Sequence, residues 1–233
     1  MPQESISLSI VLPAYNEEAV IGRVVDTIAA YAHARNLGAE LIVVDDGSRD
    51  GTAAALAALQ RRLPALRVVR HPENRGYGEA LRSGFTAATT PWIFLTDSDG
   101  QFDITELDRF LAARDTADLL LGFRVNRADP LLRALFTATY SRLVNTLFSL
   151  GVRDPGCAFK LFRREAWTGS GPVRSHDHKI FTVEWLRNAR RAGFRIRELP
   201  VRHYPRIGGR PTGARLGVIW QTLCAIVALR RQR

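Results

Sequence analysis

Trp92-Ile93-Phe94-Leu95-Thr96-Asp97-Ser98-Asp99-Gly100-Gln101-Phe102-Asp103 is the stretch on which the reading of the chain turns. Its first half is a short apolar run with the length and bulk of a buried strand. The run stops at two carboxylates one residue apart. Side chains at alternate positions of an extended segment point the same way, so Asp97 and Asp99 share a face and Gln101 continues it. Two like charges held this close repel unless a cation sits between them. Hard divalent cations such as Mg²⁺ or Mn²⁺ take oxygen ligands and commonly share them with phosphates. The plainer alternative is a strand followed by a polar turn.

Working outward, the same unit repeats. Leu8–Leu12 predicts a first strand, ended by Pro13, with Asn16 as N-cap of a helix striped by Val20, Val24 and Ile28. Leu41–Val44 predicts a second strand that ends at Asp45-Asp46-Gly47-Ser48, and Thr52–Leu63 the next helix. Leu66–Arg70, the turn Asn74-Arg75-Gly76-Tyr77-Gly78 and a helix over Glu79–Ala88 follow. After the opening stretch come a helix at Thr105–Arg114 and a strand at Leu119–Phe123. Strand and helix in alternation imply a mostly parallel sheet with helices on both faces. Ligands of such sheets bind beyond the carboxyl ends of the strands. That edge collects Tyr15, Glu17, Asp45, Asp46, Asn74–Gly78, Asp97, Asp99 and Arg124.

The second half reads differently. Leu131–Leu150 is long, apolar and aromatic. Ala158–Phe162 and Arg195–Val201 predict strands, and 180–192 a helix with Glu184 and Trp185. Tyr204–Gly213 is rich in Gly, Pro and Arg. Leu216–Leu229 predicts an apolar helix closed by arginines, too short to span a bilayer but suited to an interface. Residues 1–122 carry 11 Lys/Arg and 17 Asp/Glu, whereas 123–233 carry 22 and 6. Only two of the 33 basic residues are lysine. A GC-rich genome explains arginine over lysine, but not this segregation of sign. Arginine's planar fork suits phosphate, so the second half is expected to meet anions: a diphosphate, a membrane surface or a nucleic acid. Interleaved aromatics on a basic sheet and a recognition helix are missing, which argues against nucleic acid. No signal sequence is expected at the N-terminus, and Cys157 and Cys224 have no metal or redox spacing, so reduced thiols and a cytoplasmic site are expected.

Ser9–Glu18, Ile42–Thr52, Asn74–Gly78, Thr96–Gln101 and Asp154–Arg164 together resemble the family 2 glycosyltransferases of GT-A fold. Within them the likeness is greatest to dolichol-phosphate and polyprenyl-phosphate mannosyl- and glucosyltransferases. The resemblance implies one GT-A domain over 1–233, a Rossmann-like, mostly parallel α/β sheet with C-terminal amphipathic helices. Residues 1–123 would bind the nucleotide-sugar donor and 124–233 the acceptor. It implies that Pro13, Ala14, Tyr15, Glu17, Val44 and Asp46 hold the nucleoside, with Asp46 accepting from a base N–H. Gly76, Ser98, Arg124, Lys160, Arg206 and Arg210 would line the rest of the donor site. Asp97, Asp99 and Gln101 would bind Mg²⁺ or Mn²⁺. Asp99, Arg124 and Asp154 would be catalytic, Asp154 as acceptor-side base with Glu184 behind it.

The implied reaction inverts the sugar while moving it from a UDP- or GDP-sugar to a polyprenyl or dolichyl phosphate, at the inner face of a membrane. Two departures stand out. C-terminal membrane spans frequent in such enzymes are missing, and His203–Gly213 lacks the expected lysine. They keep open a soluble enzyme acting on a small molecule or a carrier-bound acceptor, and a non-catalytic sugar-nucleotide sensor. Oligomeric state, a homodimer included, is left open.

Overall fold

The structure, a computed structural model, describes residues 6–125, 131–175 and 178–205, together with 226, 229 and 230. Seven strands form one sheet in the order β3-β2-β1-β4-β6-β5-β7. They are β1 (Ser7–Ala14), β2 (Gly38–Asp45), β3 (Leu66–Arg70), β4 (Trp92–Leu95), β5 (Leu119–Val125), β6 (Lys160–Arg163) and β7 (Ile196–Arg202). All pairings are parallel except those of β6, which runs antiparallel between β4 and β5. Strands from both halves of the chain thus share one sheet. Helices α1 (Ile21–Ala34), α2 (Thr52–Arg62), α3 (Tyr77–Ala87), α4 (Leu107–Ala113), α5 (Leu131–Phe148), α6 (Arg164–Thr168) and α7 (His178–Arg191) are the connections among these strands.

The sheet is covered on both faces, as its continuous apolar strands require. Leu8, Ile10 and Leu12 of β1 pack with Ile21, Val25 and Ile28 of α1, Leu56 of α2 and Phe110 of α4. Val11 points the other way, with Val44, toward Leu81 and Phe85 of α3 and Phe181 and Trp185 of α7. This alternation is the period of two made visible.

Three local expectations are corrected. Pro13 does not end β1; it lies inside the strand opposite Val44, and the strand runs to Ala14. Asn16 is not the N-cap of α1, which starts at Ile21 without a side-chain cap. Asn16 takes φ +54° instead, a conformation asparagine tolerates better than most residues, and its Oδ1 accepts from Arg49 N. Thr105–Arg114 is not one helix: a 3₁₀ turn at Ile104–Glu106, capped by Asp103, precedes α4. Most of the apolar segment 216–229, and Arg206 and Arg210 with it, lie outside the described residues.

Candidate active site

The acid loop is stitched to β1 beyond the end of their ladder. Thr96 N donates to Val11 O at 3.1 Å, and Ser98 Oγ donates to Pro13 O at 2.8 Å. Ser98 is therefore turned into the sheet, and its neighbours Asp97 and Asp99 face away from it. Asp99 Oδ1 accepts from Gln101 N at 3.1 Å, which curls the chain back on itself. Gln101 spends its side-chain amide nitrogen on Tyr204 O, while Tyr204 N donates to Gln101 O. The segment after β7 is tied by this reciprocal pair to the acid loop, and the His203 ring packs edge-on to Phe102 at 5.3 Å.

Burial and the neighbouring Asp99 carboxylate push the Asp97 carboxyl up to about 6. Three groups oppose that rise: the Tyr77 hydroxyl, which donates to Asp97 Oδ1 at 2.8 Å, and the charges of Arg124 and Lys160. Tyr77 opens α3 and is held below ionisation by burial first and by Asp97 second. The sequence places Tyr77 in a turn, with the helix expected only from Glu79, and nothing local singles out its hydroxyl. The Asn-Arg-Gly-Tyr-Gly turn was the signal that could have found it.

Arg124 and Asp154 form a two-pronged pair, Nε to Oδ2 at 2.7 Å and Nη2 to Oδ1 at 2.9 Å. Both are largely buried. Burial works against the guanidinium charge, but its hydrogen bonds to the Asp154 carboxylate and that group's charge outweigh it, and Arg124 is raised further. Lys160, fully buried in β6, donates to the Cys157 carbonyl. Desolvation lowers its pKa, partly offset by Asp154 and Asp97. Asp97, Asp99, Arg124, Asp154 and Lys160 thus act on one another at the carboxyl ends of β4 and β5. Glu184 is apart from them in function: its carboxylate accepts from Arg174 N and Ser175 N and fastens that segment to α7.

Asp46 is placed otherwise than expected. Its Oδ1 takes His71 Nδ1 at 2.7 Å and Arg75 N at 2.9 Å; its Oδ2 takes Asn74 Nδ2 and Gly76 N, each at 2.9 Å. A carboxylate has about four lone-pair sites, so none remains for a base N–H. Asp46 instead pins the turn that delivers Tyr77. Gly76 sits at φ 92° and ψ 156°, a region open to glycine almost alone. Gly47 is equally committed, since a Cβ there would lie 2.2 Å from the Glu73 carbonyl carbon. Pro13 and Ala14 form the end of β1, and Val44 is fully buried in the core, so its backbone alone can face a ligand. Tyr15 is exposed, and Glu17 is buried with its N–H donating to Thr52 Oγ1 at 2.8 Å. The first two loops are thereby locked together.

Among the described residues, no group of three or more His, Cys, Asp or Glu side chains could hold a metal ion. The acid pair is nonetheless a fitting half-site for a hard cation: a buried Asp99 and a half-buried Asp97 whose charges repel. Mg²⁺ and Mn²⁺ sites typically take one or two carboxylates and complete their shell with water and substrate phosphate.

An α/β sheet of this order, with paired acids at its carboxyl edge and a buried Arg–Asp pair beside them, places its polar groups where open α/β sheets bind ligands. Residues 9–168 match the model of glycosyl transferase family 2, and the chain belongs to that family; it is a glycosyltransferase. A dolichyl-phosphate beta-glucosyltransferase of Dictyostelium discoideum is 26% identical over 86% of this chain and 67% of its own. A dodecaprenyl-phosphate galacturonate synthase of Rhizobium johnstonii is 34% identical over 70% of this chain and 49% of its own. An uncharacterized glycosyltransferase of Mycobacterium tuberculosis is 34% identical over 88% of both. The chain therefore spans about half to two thirds of the lipid-phosphate relatives, but most of the mycobacterial one. Among solved structures, glucosyl-3-phosphoglycerate synthase from Mycobacterium tuberculosis, in complex with Mn²⁺, UDP-glucose and phosphoglyceric acid, superposes with a TM-score of 0.70. It covers 97% of this chain and 80% of that one at 22% identity, which establishes the GT-A fold. No helix among the described residues is long and apolar enough to cross a membrane.

Proposed function

We propose that the chain moves a sugar from a nucleoside diphosphate donor to a polyprenyl or dolichyl phosphate, with inversion. One observation carries the donor half: at the carboxyl edge of the sheet, Asp99 and burial hold the Asp97 carboxyl near 6. Such a pair is costly in the folded protein unless a cation answers it. A divalent ion there would neutralise charge on the departing diphosphate. The chain's own residues do the rest. Tyr77 fixes the rotamer of Asp97, Ser98 fixes the loop, and Arg124, held rigid by Asp154, presents a fixed positive charge where phosphate charge grows. The β1 and β2 loops, with Pro13, Ala14, Tyr15, Glu17 and Val44, form the wall for the nucleoside.

The acceptor half is supported by the lipid-phosphate relatives and by the state of Asp154. Both of its oxygens are bound by Arg124, which weakens it as a proton acceptor. A phosphate acceptor is already anionic and needs no base, whereas a hydroxyl would. The test is transfer from UDP- and GDP-sugars, with Mn²⁺, to a short polyprenyl phosphate, with 3-phosphoglycerate as competing acceptor. The expected product is a lipid-linked sugar that disappears with chelator. Sugar found only on the water-soluble acceptor would overturn the lipid reading, and no turnover of any donor would overturn both halves.

A further inference from the structure

We infer that a second phosphate-binding site lies at the opposite edge of the sheet, in the cleft between the carboxyl ends of α5 and α7. It is independent of the donor and acceptor chemistry above. The acid pair follows β4 at the carboxyl edge. Helix α7 instead leads through Gly193 into the start of β7, so its last turn stands at the amino edge. Leu147, Phe148, Ser149, Arg187, Arg190, Arg191 and Arg230 line a cleft there of about 390 Å³, room for a phosphate ester with an organic group attached. Four of these seven are arginine and none is acidic.

The arginines are not accounted for by the fold alone. Arg190 Nη1 donates to Ser149 O and Arg187 Nη1 to Leu229 O, each at 3.1 Å, so each caps one carbonyl and has other N–H groups left. Arg187 Nε is buried without a hydrogen-bond partner among the described residues. Its guanidinium stands 5.8 Å from the centre of the Phe148 ring. Each helix end contributes roughly half a negative charge. Two such ends offset about one of the four guanidinium charges, which leaves a surplus of about three. Desolvation and the neighbouring Arg191 lower the Arg187 pKa, against a smaller opposing pull from Glu184.

A planar guanidinium fork fits phosphate and carboxylate oxygens alike, and a surplus of about three charges suits the more highly charged phosphate. Phe148 and Leu147 supply an apolar wall for whatever the phosphate carries. The ligand is therefore a phosphate ester, borne either by a lipid headgroup or by a soluble organophosphate.

The experiment uses the full chain, free of divalent cation, with two probes: inorganic pyrophosphate by calorimetry, and vesicles of phosphatidylcholine with or without phosphatidylglycerol by sedimentation. The variant is R191A/R230A, which removes two arginines with no capping bond among the described residues. Its charge-matched control is R61A/R62A, at the end of α2 on the other face of the sheet. Loss of charge-assisted contacts should weaken binding about ten-fold or more in the first pair and under two-fold in the control. R191K/R230K should recover part of it, and donor turnover should be unchanged in every variant. Loss with both probes assigns the site to a lipid headgroup; loss with pyrophosphate alone assigns it to a soluble phosphate ester. Equal losses in test and control pairs, or no pyrophosphate binding by the parent chain, would overturn the site.

Discussion

The Tyr77 hydroxyl donates to Asp97 Oδ1 at 2.8 Å, joining the start of α3 to the end of β4. Asp46 makes that bond available. It holds His71, Asn74 and the N–H groups of Arg75 and Gly76, and so aims the turn from which Tyr77 projects. The carboxylate after β2 is thus mechanically connected to the one after β4.

Tyr77→Phe removes a donor that favours the ionised form of Asp97. The Asp97 pKa should then rise above about 6, and Mn²⁺ should meet a protonated ligand over a wider range. One lost hydrogen bond to a charged group is worth about 1.5–3 kcal/mol, or roughly one to two pKa units, which at pH 6.5 lowers apparent Mn²⁺ affinity roughly 4- to 40-fold. Much of that loss should return at pH 8.5, where Asp97 is ionised in either protein. Calorimetric Mn²⁺ titrations at both pH values check it; a loss independent of pH would mean that the tyrosine acts through packing alone.

Asp97 also makes a stability prediction. Its carboxyl moves from 3.8 unfolded to about 6 folded, so the folded state binds the proton more tightly. The metal-free protein therefore loses stability as pH rises from about 4 through 6, and the penalty is complete above 6. Asp97→Asn removes it. Allowing for the partly exposed carboxyl and the altered Tyr77 contact, the variant should gain on the order of 1–2 kcal/mol at pH 7.5. It should also lose Mn²⁺-dependent transfer. Denaturant unfolding with chelator should show the full gain at pH 7.5 and about half of it at pH 5.

The strands and the edge that carries the site were legible in the sequence because both are local. Apolar runs with a period of two, each followed by a polar loop, need no long-range information. The place of β6 between β4 and β5, and its reversed direction, depend on pairings such as Leu95 with Lys160, which no local pattern encodes. Asp46 looked like a ligand-binding acid because its four partners come from residues 71–76, whose return to the β2 loop is a tertiary event. Tyr77 was hidden for the same reason. Asp97 and Asp99 were visible because their spacing alone sets their common direction; Asp154 was visible as a charge, but not as half of a buried pair.

That pair separates two roles for Asp154. If it serves to hold Arg124, then Asp154→Asn and Arg124→Gln should lose similar activity, and the double variant should be little worse than either, since both remove one unit. Each single change should also cost about 3–5 kcal/mol of stability by leaving a buried charge without its partner. A base would behave differently: Asp154→Asn would cost far more in kcat than Arg124→Gln. Transfer rates and unfolding curves for the three variants distinguish these outcomes.

Cys157 tests whether the floor of the site opens. It is fully buried, and burial pushes its thiol up to about 11. The thiolate is the reactive form, so at pH 8 the folded protein should hold the thiol unreactive. In a Cys224→Ser background, dithiobis-nitrobenzoate should label Cys157 only at the rate of unfolding. Labelling within minutes under native conditions would show that the β5–β6 floor opens locally.

Gly84 sets how closely α3 can lie on the sheet that carries the acid loop. A Cβ at this position would stand 2.4 Å from Val11 Cγ1 and 3.2 Å from Val44 Cγ2, both on fully buried side chains. Two effects oppose each other in Gly84→Ala. Alanine is the better helix former by about 1 kcal/mol. Overpacking a full core costs about 1–3 kcal/mol, and neither valine has free space to turn into. The clash should win, with a net loss on the order of 1 kcal/mol and a lower Tm. Because α3 carries Tyr77, the displaced helix should also weaken the contact to Asp97 and with it Mn²⁺ binding. Val11→Ala in the same chain removes the offending methyl groups, so Gly84→Ala/Val11→Ala should be more stable than the two single losses added together. Strict additivity in urea unfolding would show that the helix moves away rather than pressing on Val11.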